Sequence, residues 1–450
     1  MAIIMNMDSQ FLTHNSHQAG TVAFKANDPN LRRLGQQPLQ YTAALIGELP
    51  RNMPGIYTLG GGRQVGKTTT LKQWMLALLE SGVESARLAF LSGEIIDDHH
   101  HLMSILRNTI ADMPTDCLLY IIVDEVTYIK NWDKAIKYLA DAGELEQVVL
   151  MLSGSDLMLM QEAKMRFPGR RGQADKVDFH LYPLSFSEFV KLAEGNVTVD
   201  IDVLYARFYD YMKHGGYLTA INDYAKNQTI SRATLMTYSD WIRGDMLKHG
   251  KQESYLKEIL NGIIKHYTDQ ITWNSLAKEL SIDHPTTVNG YVSILANMDA
   301  VFVQQALLED KLVGAPKKAR KIIFTDPFIF HAIRAWMKPC DNPFAEQIVP
   351  AVDDAVMSSK LVESIVVAHY RRYYPTYYIK AEGEVDVAYV KDEKFWPVEV
   401  KWRNQLRSKD LKQIAKYKNG LVLSKVKQTA SYESLPTEPL PHYLSTFPTE

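Results

Sequence analysis

The sequence predicts an α/β protein: a parallel sheet with helices on both faces in the N-terminal half, a helical middle, and a further α/β region at the C-terminus. Three observations predict it. From about Asn27 to Ile230 short apolar stretches, GIYTL, ARLAFLS, CLLYIIVD and QVVLMLSG, alternate with helical patterns, the alternation that builds parallel sheets. A glycine-rich turn, GGGRQVGKTTT, joins the first of these strands to a helix. The 450 residues exceed the size at which one hydrophobic core keeps growing, so several domains are expected. Apolar content of 46% and charged content of 23% are those of an ordinary globular chain, and no run approaches the ~18 apolar residues a membrane helix needs.

Residues 1–25 are polar and aperiodic and are expected to form a flexible tail. The start, MAIIMNMDSQ, lacks a basic flank and a cleavage site, and Cys117 and Cys340 are the only cysteines, so a cytoplasmic setting is expected. Residues 26–230 form the first domain with a helical lid. In the helix after the glycines Leu71, Trp74, Met75, Leu78 and Leu79 fall on one face, and Gly82 stops it. Residues 231–310 read as helix, turn, helix and β-rich tail, a winged-helix-like pattern. A basic connector, KLVGAPKKARK, opens the third domain, residues 311–450, with Pro339, Pro343 and Pro350 ahead of its last helix and strands.

Gly61, four intervening residues, then Gly66-Lys67-Thr68 have P-loop spacing, after a strand and opening a helix. Small glycines let the backbone N–H groups of Gly62, Arg63, Gln64, Val65 and Gly66 wrap phosphates, and the helix N-terminus adds positive field at Thr69. Lys67 then reaches the terminal phosphates of ATP, and the Thr68 hydroxyl can ligate Mg²⁺. LLYIIVDE ends a strand in Asp124, suited to hold the metal shell, and Glu125, suited to orient or deprotonate water. That pair implies hydrolysis.

Further along stand SGS at Ser153–Ser155, KMRFPGRRGQ and YPLSFSEFVKL; DPNLRRL lies near the start and HGGYL at His214–Leu218. With these segments nearly the whole chain after residue 25 resembles the AAA-type P-loop ATPase family whose C-terminal domain, of formerly unknown function, looks like a PD-(D/E)XK nuclease fold. The resemblance implies a γ-phosphate sensor at Ser153, and a finger at Arg170 or Arg171 acting on a neighbouring subunit's nucleotide. It therefore implies a homo-oligomer, expected to be a ring. Read from the residues alone, the two arginines are surface charges on a Pro-Gly loop.

In GEVDVAYVKDEKFWPVEVKW, Asp386 and Glu399 can face each other across a hairpin, with Lys401 on the face of Glu399. Two carboxylates can hold Mg²⁺ and the lysine can steady a phosphate. Glu363, in KLVESIVVAHY, adds a third acid in the nuclease fold this resembles. Downstream, SKDLKQIAKYKNG places Leu411, Ile414 and Ala415 on a buried stripe and Lys409, Gln413 and Lys416 on another. Lys401, Arg403, Arg407, Lys409, Lys412, Lys416 and Lys418 crowd this span with Asp410 as its one acid and Trp402 and Tyr417 interleaved, a pattern suited to DNA phosphates. The plain alternative is a charged hairpin on a solvated edge.

Asp97–His101 has no metal-ligand spacing and reads as a loop or helix start. The segment from His284 carries few cations, so it suits packing as well as a major groove; Lys317, Lys318, Arg320 and Lys321 offer phosphate contacts instead. The expected function is an ATP-driven motor that remodels or translocates DNA, by analogy branched DNA, with the C-terminal domain as grip. An ATP-gated nuclease and a nucleotide-dependent signalling or defence switch are the alternatives.

Overall fold

The computed structural model describes residues 9–155, 157–195, 200–432 and 435–448. Residues 1–8 of the expected tail lie outside them. The chain divides into two compact units, Met1–Tyr182 and Pro183–Glu450.

The first unit is built on β1 (Gly55–Gly60), β2 (Leu88–Ser92), β3 (Leu119–Asp124), β4 (Val148–Gly154) and β5 (Asp178–His180). They form a parallel five-stranded sheet in the order β2-β3-β4-β1-β5. Neighbouring residues such as Ile56 and Tyr57 point to opposite faces yet are both buried, because helices cover both sides, the α/β architecture that the sequence pattern predicts. On one face Ile121, Val123, Leu150 and Leu152 meet Leu102, Leu106, Ile136 and Leu139 of helices His99–Ala111 and Trp132–Asp141. On the other, Trp74 of helix Lys67–Glu80 meets Tyr120 edge-on at 6.3 Å.

Residues 9–25 correct the expected flexible tail. They form short helical turns, Ser9–His14 and Ser16–Ala19, and run into helix Thr21–Asn27. The reason is the open edge of β2. Asn15 donates to the Phe90 carbonyl (2.7 Å) and accepts from the Phe90 N–H (2.8 Å), and His17 meets the Leu88 carbonyl (2.9 Å), so side chains complete the edge ladder. Phe11 and Phe24 are buried, and Lys72, fully buried, pairs with Asp28 at 3.4 Å and lies 3.4 Å from the Phe90 ring centre.

The second unit begins with helices Phe186–Glu194, Ile201–His214 and Leu218–Asn227, expected as a lid of the first domain but clustering with the later residues. Helices Arg232–Lys248, Glu253–Lys265, Trp273–Glu279 and Pro285–Asn297 follow. Strands β6 (Val301–Gln305) and β9 (Arg320–Phe324) pair antiparallel; β7 (Leu307–Leu308) and β8 (Val313–Gly314) form a small ladder between them in sequence. In the HGGYL turn the two glycine positions are packed too tightly for a Cβ. Gly215 has φ +61° and a Cβ there would lie 1.8 Å from Asp326 Oδ1, the carboxylate whose Oδ2 accepts from the Gly216 N–H at 2.8 Å.

The C-terminal sheet has six strands: β10 (Thr376–Lys380), β11 (Glu384–Lys391), β12 (Lys394–Lys401), β13 (Leu421–Ser424), β14 (Ala430–Tyr432) and β15 (Leu435–Pro439), in the order β10-β11-β12-β13-β15-β14. Pairing is antiparallel across β10, β11 and β12 and parallel from β12 to β13 to β15. Helix Ala355–Tyr370 precedes this sheet in the chain.

Candidate nucleotide site and C-terminal carboxylate centre

The glycine-rich turn leaves the C-terminal end of β1 and enters helix Lys67–Glu80, so phosphates would meet the helix N-terminus. Gly66 caps that helix at φ +105° and, being glycine, brings no capping side chain to its first N–H groups, which suits them to an anion. Gly61 passes so close to β5 that a Cβ would sit 2.5 Å from the Leu181 carbonyl. Lys67 is buried and donates to the Gly61 and Gly62 carbonyls, each at 3.0 Å, with Glu125 Oε1 at 3.5 Å. Arg63 stacks its guanidinium on Tyr128 at 5.5 Å. Gln64 lies in left-handed backbone at φ +60°, Val65 is buried, and Thr69 is in the first turn of the helix.

Strand order does the rest. Because β4 lies between β1 and β3, Ser153 near its end reaches Asp124 at the end of β3. Asp124 Oδ1 accepts from the Ser153 hydroxyl, Asp124 Oδ2 accepts from the Thr68 hydroxyl at 2.7 Å, and the Glu125 N–H donates to Ser153 Oγ at 3.1 Å. Burial pushes the Asp124 carboxyl up from its ordinary value, against the two hydroxyls that favour its charge. Ser155 donates to Glu125 Oε2 at 3.2 Å. Thr68 and Asp124 thus present two adjacent oxygens suited to Mg²⁺.

The two arginines of the Pro-Gly loop lie elsewhere. Arg171 donates to the Ile56 carbonyl (3.2 Å), the Val177 carbonyl (3.1 Å) and Asp178 Oδ2 (2.8 Å), tying its loop to β1 and β5. Arg170 pairs with Asp141 at the end of helix Trp132–Asp141, with one contact at 3.2 Å. Asp98 accepts from the His100 and His101 N–H groups and caps helix His99–Ala111, as a helix start requires.

In the second unit Asp386, Glu399 and Lys401 come together across the β11–β12 hairpin, Glu363 of helix Ala355–Tyr370 stands with them, and two residues assigned no part in this site join them. Lys321, expected to touch phosphates from an exposed connector, is instead fully buried: it donates to Glu363 Oε1 at 2.7 Å, pairs with Glu384, and lies 3.8 Å from Asp386 Oδ1. Arg320 is buried too, 4.6 Å over the Trp273 ring, while Lys317 and Lys318 are exposed. Glu384 stands two residues before Asp386 on β11, a spacing that puts both on one strand face and was legible. Asp386 Oδ2 accepts from the Val400 N–H at 2.9 Å and lies 3.8 Å from Lys401, which also pairs with Glu399. Burial lifts Glu363 to about 7 and Glu399 to about 8, and the neighbouring Asp386 charge adds to both. Among the described residues, Glu363, Glu384 and Asp386 form the one group of three acidic, histidine or cysteine side chains close enough to hold a metal ion.

Gln413 packs against Gly383, the residue before Glu384, where a Cβ would meet the Gln413 Cβ at 3.1 Å. The expected continuous helix over Lys409–Lys416 breaks into Ser408–Leu411 and a tight turn at Ile414–Lys416, so Leu411 and Ile414 are buried but Ala415 is exposed. Lys409 and Lys412 are exposed, and Lys416 pairs with Glu382. Trp402 offers no stacking face to nucleic acid, because it is buried against Tyr205, Phe208 and Tyr209.

With this geometry in hand, comparison with known proteins matches three spans of the chain. Residues 205–339 match a domain of unknown function (DUF8612) and residues 358–444 another (DUF4143). An uncharacterised protein of Methanocaldococcus jannaschii is 26% identical over 167 residues, 35% of this chain and 35% of its own length, so the match spans about a third of that relative. Among solved structures, the Walker-type ATPase of Pyrococcus abyssi is 14% identical with a TM-score of 0.44, covering 64% of this chain and 93% of that one. Cdc6p of Pyrobaculum aerophilum, 14% identical, has a TM-score of 0.26 over 65% of this chain and 92% of its own. AMPPCP-bound DnaA of Aquifex aeolicus, also 14% identical, has a TM-score of 0.27 over 57% and 90%. Residues 54–190 match the AAA domain family, and with the P-loop and the Asp124–Glu125 strand end inside that span, this part of the chain is an AAA-type P-loop domain.

Proposed function

We propose that the protein is a Mg²⁺-dependent ATPase that couples ATP turnover to the remodelling or translocation of DNA, working as a homo-oligomer. The observation that carries this reading is the hydrogen-bonded line from Thr68 through Asp124 and Ser153 to the Glu125 backbone, set against Lys67. Lys67 exchanges its carbonyl partners for phosphate oxygens. Thr68 and Asp124 would hold Mg²⁺, which supplies charge neutralisation at the phosphates. Glu125, kept beside Lys67 and Ser155, orients the attacking water and takes its proton, and Ser153 relays the state of the γ-phosphate to the Glu125 backbone. Arg170 remains the finger candidate for a neighbouring subunit.

DNA engagement draws support from Arg403, Arg407, Lys409 and Lys412, all exposed in one stretch of the C-terminal domain. The short helices Trp273–Glu279 and Pro285–Asn297 with the β6–β9 pair support a winged-helix reading of the middle segment. The test is ATP turnover with single-stranded, duplex and branched DNA. Stimulation by DNA is expected, strongest on branched substrates; turnover indifferent to every DNA, with no binding, would favour a switch acting through protein contacts.

A further inference from the structure

We infer that the C-terminal carboxylate centre holds an internal cation, the Lys321 ammonium, in the volume that a divalent metal ion would need. The centre resembles a nuclease site in its Asp386, Glu399 and Lys401, but its residues do not fit a metal as they stand. One oxygen from each of Glu363, Glu384 and Asp386 lies within 4.8 Å of the others, and those three carboxylates are the ones that Lys321 contacts. The Lys321 ammonium donates to Glu363, pairs with Glu384 and lies 3.8 Å from Asp386, so the charges of all three surround it. The distance to Glu363, 2.7 Å, is that of a charge-assisted hydrogen bond, longer than the about 2.0–2.6 Å of Mg²⁺ or Ca²⁺ to oxygen. One volume cannot hold both cations.

The strand that carries Lys321 is itself fixed in place. All five residues of β9 are buried, and β9 pairs with β6 in full register. From β6, Gln304 donates to the Tyr377 and Asp386 carbonyls, each at 2.9 Å, so the two strands are fastened over β10 and β11 beside the carboxylates. Displacing the lysine would leave an unpaired ammonium against buried strands. Asp386 is committed on its other oxygen to the Val400 N–H; Glu399 pairs with Lys401 through Oε1, while its Oε2 is buried without a hydrogen-bond partner among the described residues. The centre is therefore an electrostatic staple between the β6–β9 segment and the C-terminal sheet, and this chain does not cut DNA by metal-dependent hydrolysis there. The inference stands apart from the ATPase reading, since no nucleotide enters it.

The test is Mn²⁺ titration of the full chain followed by electron paramagnetic resonance, with Asp386→Asn as the subtraction. Wild type is expected to show no Mn²⁺ uptake that Asp386→Asn removes. Lys321→Met is expected to gain such a site, at least about tenfold tighter than wild type, and to be stabilised by Mn²⁺ against thermal unfolding. Asp386-dependent uptake in wild type would overturn the inference, as would a folded Lys321→Met chain that takes up none. Should Lys321→Met fail to fold, the wild-type titration alone decides.

Discussion

Glu125 adopts left-handed backbone at φ +53°, with Gly93 beside it where a Cβ would sit 2.6 Å from the Glu125 carbonyl. A side chain held in such backbone is fixed by its surroundings rather than by its own preference. Glu125→Gln should therefore keep nucleotide affinity while turnover falls about 10²–10⁴-fold, the usual worth of a general base; fluorescent-nucleotide binding and phosphate release measure the two. Lys67→Ala should lose the binding itself. The two loop arginines should separate in the same way. Arg171→Ala removes a half-screened ion pair and two carbonyl bonds and should cost about 1–3 kcal/mol in denaturant unfolding, whereas Arg170→Ala should leave unfolding unchanged and lower turnover only in the assembled protein. A wild-type unfolding curve for Arg171→Ala would remove its clamp role.

At the scale of elements, the stretch after β12 shows what periodicity misses. Leu411 and Ile414 are spaced for a helix, yet the helix stops after four residues. Of the three lysines expected to grip DNA, Lys416 already has Glu382. Each phosphate contact contributes about 0.9 to the slope of log affinity against log salt, so Lys409→Glu with Lys412→Glu should flatten the slope by nearly 2, and adding Lys416→Glu should change it by less than one further contact. A wild-type slope in the double variant would take DNA away from this face. Trp402→Ala should act on folding instead: its burial against three aromatic rings predicts a loss of about 3–5 kcal/mol with the salt slope unchanged.

Across the second unit, buried titrating groups pull in opposite directions. His214, His331 and His369 are held neutral by burial, their values lowered to about 4, 3 and 3. Their stability is present above the unfolded value near 6.5 and is lost as pH falls towards 3–4, because the unfolded chain takes up protons that the fold refuses. Asp326, Glu363 and Glu399, raised by burial to about 6, 7 and 8, work the other way: the fold keeps their protons, so stability declines as pH rises from about 4.5 through those values. Between about pH 4.5 and 6 the two sets offset, and the unit should be most stable there rather than at pH 8. Glu399→Gln should weaken the decline above pH 6, since burial and the Asp386 charge are what raise Glu399. Equal pH dependence of the unfolding midpoint in wild type and Glu399→Gln would show that Glu399 is ionised throughout.

The sequence by itself determined the parallel sheet, the P-loop and the Asp124–Glu125 strand end, because these depend on local pattern: apolar strands, glycines at fixed offsets, a carboxylate where a strand stops. It also placed Asp386, Glu399 and Lys401 together, since a hairpin brings near neighbours face to face. Tertiary structure alone decided the rest. Asn15 and His17 order the start of the chain because β2 has an edge to satisfy, and no local pattern announces that edge. Lys321 leaves an apparently basic connector for a buried carboxylate centre because β9 runs beside β6, and strand pairing across that distance is set by the whole core. Long-range pairing chooses which charges meet, and the free energy of burying them unpaired enforces the choice.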